Sequence, residues 1–214
     1  MTTKLQLYQG AIMALRQNAV DMAVTDDSAF VNNLDLVYDR TLRFVLESGD
    51  WNYATRTVAI EASEDEQSAF GFAFVVPKPD DYAGRIVQIA GNDRFYPPLS
   101  HYHEEGGLEG FIYCDVDPLY LRYVSNGVGH GLNLSNWPET FATAVEYELA
   151  WRIAPHVTNM SANEKNEFFK LKNQMLSNAK SKDARNQAPE RPPPGRLVTA
   201  RAGRQARRDW WRQN

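Results

Sequence analysis

The hydrophobic period of this chain changes twice, and the order of the changes restricts the folds open to it. Up to about residue 50, apolar residues recur every three to four positions, the spacing of one helical face. Leu5, Tyr8, Ile12, Leu15 and Ala19 predict a first helix, in which Gly10 costs up to about 1 kcal/mol. The turn TDDSAF offers Asp27 or Ser28 as an N-cap. Leu34, Val37, Tyr38, Leu42 and Val45 then predict a helix over 28–48, with Gly49 where a C-cap glycine belongs. The two helices are expected to form a hairpin.

From Trp51 the period becomes two, the mark of strands. TRTVAIE alternates, and FGFAFVV places Phe70, Phe72, Phe74 and Val76 on one face. RIVQIA, LEGFIYC and LYLRYV are three further strands. Turn chemistry separates them at PKPDD, GNDR, EEGG and VDP. Five short strands therefore make a small sheet or sandwich between Thr55 and Ser125. SNGVGHGLNLSN lacks periodicity and reads as a loop.

Helical spacing returns with Phe141, Val145, Leu149 and Ile153. Pro138 suits a first helical turn, and Pro155 should end or kink the helix. Ser161 with Glu164 forms a capping box for a last helix whose face is Phe168, Leu171, Met175 and Leu176. The expected fold is α+β, with three parts. Residues 1–50 and 132–182 form an antiparallel helical bundle. Residues 51–131 form an inserted β domain, and 183–214 an extended arginine-rich arm. The helix stripes around Leu34–Val45 and Phe141–Ile153 should pack together, since each needs a partner.

The arm is chemically distinct. From Arg191 onward it holds seven arginines, no lysine and one acid, Asp209, or about +6. The chain as a whole carries −4, so residues 1–190 carry about −10. Prolines 192–194 stiffen the arm as polyproline II. Arg191, Arg196, Arg201, Arg204, Arg207, Arg208 and Arg212 can form bidentate pairs with carboxylates or phosphates. Trp210 and Trp211 suit pockets on a partner protein. A nucleic-acid arm is the alternative.

Other chemistry is thin. HYHEE, with His101, His103, Glu104 and Glu105, is the one stretch resembling a metal site, but its flanks read as a solvated loop and no third ligand is fixed by spacing. Cys114 is the single cysteine; nothing local activates it, and burial as a structural residue is expected. GVGHG lacks the spacing of a phosphate loop, and Asp80 and Asp81 sit where a turn expects Asp. No stretch has the roughly 20 apolar residues of a membrane span, and the N-terminus lacks the order of a signal peptide. No catalytic, cofactor or metal residues are expected.

The segment LDLVYDRTLRFVLESGDWNYATRTVAI resembles the tail tubular protein A family, the head-to-tail adaptors of short-tailed bacteriophages. AFVVPKPDDYAGRIVQI and LYLRYVSN, followed by WPETFATAVEYELAWRIAPHVT, are similar to later parts of the family in the same order. The likeness covers roughly 34–158. It implies a structural virion protein rather than an enzyme, assembled in the host cytoplasm. It further implies a ring, a dodecamer, beneath the portal protein. Such a ring extends the channel for genomic DNA without reading its sequence, and offers a platform to the tail nozzle protein. The acidic body is compatible with DNA sliding through such a ring. The arm is expected to dock on the portal.

Overall fold

A computed structural model describes residues 2–15, 29–63, 71–95, 99, 102–104 and 110–186, with backbone alone at 29–30 and 102–104. Four helices are described: α1 (Lys4–Ala14), α2 (Ala29–Glu47), α3 (Glu139–Val157) and α4 (Ala162–Ala184). The strands are β1 (Thr55–Ile60), β2 (Phe74–Pro77), β3 (Tyr82–Ala90), β4 (Tyr102–Glu104), β5 (Phe111–Cys114) and β6 (Leu119–Ser125). The fold is α+β.

α3 is the centre of the bundle, and α1, α2 and α4 each pack on it. Its composition permits this. Phe141, Val145, Leu149 and Ile153 form the expected apolar row, while the small residues Ala142, Ala144, Ala150 and Ala154 are buried beside it and let neighbouring helices come close. The expected contact between α2 and α3 is present, although the strands separate them in sequence. α1 opens with a capping box, Thr3 with Gln6, and buries Leu7, Tyr8, Ala11 and Ile12. Leu7 and Ala11 were missing from the expected stripe, and Leu5 is only partly buried. α1 and α2 meet through a polar clamp: Asp35 accepts from Lys4 Nζ at 2.6 Å and from Tyr8 OH at 2.5 Å. These bonds hold the Asp35 carboxyl below its usual range.

The strands form two antiparallel three-stranded sheets, ordered β1-β6-β3 and β2-β5-β4. Val76, Ile112 and Cys114 of the second sheet share one core with Ile89, Leu119, Leu121 and Tyr123 of the first. The sheets therefore pack face to face. Ala83 and Val124, from the first sheet, belong instead to the bundle core. The first sheet is thus the middle layer, between the bundle and the outer sheet.

Several expectations change. Six strands are described rather than five, because Tyr102–Glu104 pairs antiparallel with β5 inside the stretch read as a solvated loop. Three residues are too few for alternation to reveal. β2 begins only at Phe74; Phe72 lies before it, and Phe70 lies outside the described residues. The strand expected at RIVQIA starts three residues earlier, at Tyr82. It runs through Gly84, whose φ of +88° suits glycine and whose side-chain space is taken by Glu47. The expected loop around 125–136 includes a 3₁₀ turn, Leu134–Asn136.

Gly49 is not a left-handed C-cap. The end of α2 is closed by side chains instead: the Val45 carbonyl accepts from Ser48 Oγ at 2.7 Å and from the Trp51 indole N–H at 2.9 Å. Gly49 is small because the Trp51 ring lies over it, 3.1 Å from the position a Cβ would take. Pro138 is the N-cap of α3 rather than part of its first turn. Pro155 does not end α3 at once; the helix runs to Val157, since a proline near the last turn removes one ladder bond only. The Ser161–Glu164 capping box of α4 is as expected. Ala19, Asp27 and Ser28 lie outside the described residues.

Candidate interaction surfaces

Three places on the molecule combine exposed or charged chemistry with a rigid support. The first is the corner where α2 ends, β1 begins and α4 finishes. Here Trp51, Tyr53, Trp137 and Phe141 stack together. The Phe141 ring lies 4.8 Å from Trp51, 4.8 Å from Trp137 and 4.9 Å from Tyr53, all in edge contacts. A 3₁₀ turn, Asn52–Ala54, carries Asn52 to the end of α4. The Asn52 backbone N–H donates to Asp183 Oδ2 at 2.9 Å, and its side-chain amide donates to the Asp183 carbonyl at 2.8 Å. Burial raises the Asp183 carboxyl above its ordinary range, with the Asn52 N–H acting against it. Beside this corner Arg85 makes a two-bond pair with Asp50. A cleft of about 210 Å³ lies there, between that pair, Lys180 and Asp183. Burial and nearby Arg85 lower the Lys180 ammonium pKa. The corner fixes where α4 delivers the chain before residue 187.

The second place is an aromatic and basic face across α2, α3 and α4. Glu148 is 4% exposed and Lys172 7%. The carboxylate accepts from Lys172 Nζ at 2.9 Å and from Arg152 Nε at 3.0 Å. Three rings surround the ammonium: its nitrogen is 5.1 Å from the Phe169 centroid and 5.9 Å from those of Phe44 and Trp151. Phe44 and Phe169 remain 41% and 45% exposed. Two cations share one carboxylate, so this group carries a net positive charge.

The third place is the loop between β6 and α3. Asp81 organises its base, accepting from Tyr123 OH at 2.5 Å, Ser125 Oγ at 2.6 Å and Arg56 at 2.9 Å. Burial alone would raise the Asp81 pKa; these three bonds outweigh it and hold the carboxyl below its usual range. From this base the loop projects Val128 into solvent.

The arm residues Arg191, Arg196, Arg201, Arg204, Arg207, Arg208, Trp210, Trp211 and Arg212 lie outside the described residues, as do His101 and Glu105. For His103 and Glu104 the backbone pairing with β5 is described. Cys114 is fully buried, and burial raises its thiol pKa. Asp80 is exposed in its turn, whereas Asp81 is the loop's anchor. Sequence reasoning missed the Glu148–Lys172–Arg152 group. The available signal was spacing: Glu148 falls beside Leu149 on the buried side of α3, and Lys172 falls one turn after Phe168.

Among the described residues no group of His, Cys, Asp and Glu is placed to hold a metal, and no helix is long and apolar enough to cross a membrane. No protein-family model and no curated protein matches the chain.

Proposed function

We propose that the chain is a virion structural protein, a head-to-tail adaptor of a short-tailed bacteriophage. In this reading it forms a ring, a dodecamer, beneath the portal. The ring extends the DNA channel and presents a platform to the tail nozzle protein. One observation carries the reading. The segments that resemble tail tubular protein A, around DWNY and WPETF, supply the four rings that meet at one corner of the molecule. Residues far apart in sequence thus serve one structural purpose, which favours a shared architecture over a chance likeness. The polar groups with displaced pKa values at the clamps described above, Asp35, Asp81 and Asp183, each tie one element to another. That supports a scaffold role.

The arm is the portal-docking element of this proposal. Stretched out, 24 residues reach about 80 Å at roughly 3.3 Å each, well beyond one domain. Arginines set its register against portal carboxylates, and the two tryptophans fill portal pockets. Many arms on one ring act together, so each need bind only weakly. The test is deletion after Pro189, alongside replacement of Trp210 and Trp211 by Ala. Circular dichroism should be unchanged while joining to portal-bearing heads fails. Normal joining, or a main effect on DNA binding that weakens steeply with salt, would contradict the reading.

A further inference from the structure

The edge of a sheet presents a row of unpaired N–H and C=O groups, which proteins blunt or cover. Among the described residues, three of the four sheet edges are blunted. β3 has two register shifts, and its Ile89 carbonyl accepts from Leu99 N–H at 3.2 Å. β2 ends in Pro77, and its Val75 carbonyl accepts from Ser63 N–H at 2.7 Å. β4 has only three residues. β1 differs. Its six residues, TRTVAI, pair with β6 on one side without a shift, and no described backbone group pairs with the other side. We infer that residues 196–200 of this chain, RLVTA, add a strand to that open side of β1. The inference goes beyond the adaptor reading and does not depend on it.

The edge opens on a groove. Between β1 and residues 77–79 of the outer sheet lies an open space of about 650 Å³, walled by Val58, Ile60, Pro77, Pro79 and Tyr123. Val58 and Ile60 pack on the sandwich core yet stay half-buried. A strand laid on β1 turns alternate side chains toward this groove, covers Val58 and Ile60, and pairs the open backbone. Charge does not choose the occupant. Arg56 bonds Asp81 at 2.9 Å, Lys78 is buried over the Tyr82 ring, and Asp80 is exposed, so two cations balance two carboxylates. The groove selects an extended backbone with small apolar side chains.

The chain itself delivers such a segment to this place. α4 ends where Asp183 accepts from Asn52 N–H at 2.9 Å, and β1 begins three residues after Asn52. The chain therefore leaves the body near the Thr55 end of β1. From Asn186 to Arg196 is ten residues, a reach of about 33 Å at roughly 3.3 Å each, against about 20 Å for the whole of β1. Val198 and Thr199 are the only β-branched residues from Arg191 onward. With Leu197 they lie between Gly195 and Gly203, which punctuate a short strand. The tether makes the pairing intramolecular, so a short strand suffices. Residues from Arg201 onward, with both tryptophans, stay free for a partner and start from a fixed point.

The test uses the free full-length chain, with no portal present. Amide exchange is read residue by residue. Deletion after Pro189, or Val198→Pro, should quicken exchange on the outer side of β1 about tenfold and leave α3 slow. In a second arm, Thr57→Cys, central in β1, is combined with Val198→Cys or with Thr199→Cys under mild oxidation. Cys114 is fully buried and stays out of the reaction. Neighbours on a strand face opposite sides, so one pair should close an intrachain disulfide readily and the other should not. Linked dimers in place of the intrachain bond mean that a second copy supplies the strand, and the inference is wrong. Equal exchange in the full and truncated chains, with no link in either pair, would leave β1 to a peptide of another protein and overturn the inference as well.

Discussion

The bundle and the sheet sandwich solve the same problem with different means. The bundle core is large and mostly apolar, and its central helix touches the other three. Two of its buried charges, Glu148 and Lys172, pair with each other. The sandwich core is smaller, and the rim beside it depends on Asp81, which ties Arg56 of β1 to Tyr123 and Ser125 of β6. The same carboxylate braces the Val128 loop. Damage to the bundle should therefore unfold the chain, whereas damage to the rim should loosen one surface and leave the rest intact.

The largest effect is expected at the aromatic corner. Phe141→Ala removes the ring that touches Trp51, Tyr53 and Trp137. It should cost about 3–5 kcal/mol in denaturant unfolding. It should also unfold bundle and sandwich in one transition. Two separate transitions would break the idea that Ala83 and Val124 join the layers.

A smaller and more local effect is expected at the rim. Asp81→Ala leaves the Tyr123 and Ser125 hydroxyls without their acceptor and should cost about 1–3 kcal/mol. Amide exchange should quicken around 125–132 and stay slow in α3. Equal quickening in α3 would erase the contrast between the regions.

Glu146 in the bundle works against the fold at neutral pH. Glu146 of α3 lies against Gly10 of α1, where a Cβ would collide with its carboxylate. Burial, with the charge of Glu139, pushes its pKa up to about 7. The folded chain thus holds this proton more tightly than the unfolded chain. The resulting stability is present below the unfolded value near 4.5 and is lost as pH rises through about 7. Glu146→Gln should raise stability by about 1–2 kcal/mol at pH 8, after allowance for solvent screening. It should make little difference at pH 4. An equal gain at both pH values would remove the electrostatic explanation.

These contrasts also separate what the sequence could tell from what it could not. The stripes of Leu34–Val45 and Phe141–Ile153 were legible because a helix with one apolar face must cover it, and their packing followed. Gly10 read as a weak point; its partner, Glu146, comes from a helix more than a hundred residues away, which no local pattern reveals. Gly49 misled because a glycine after a helix usually adopts a left-handed turn, and here Ser48 and Trp51 satisfy the same carbonyl. β4 was illegible because its evidence is the pairing with β5 rather than its own alternation. Of the interaction surfaces, the loop was read as a loop, but neither its bracing by Asp81 nor the cage around Lys172 could be foreseen, since both join separate elements.

The most direct test of the proposed adaptor role is the mass of the full-length chain in native conditions, alone and mixed with a portal ring from the same source. The account predicts a complex holding one copy of this chain per portal subunit, closed into a ring, and reduced to separate components by deletion after Pro189. A chain that keeps its own mass in the presence of the portal, or a complex that forms equally well without the arm, would contradict it.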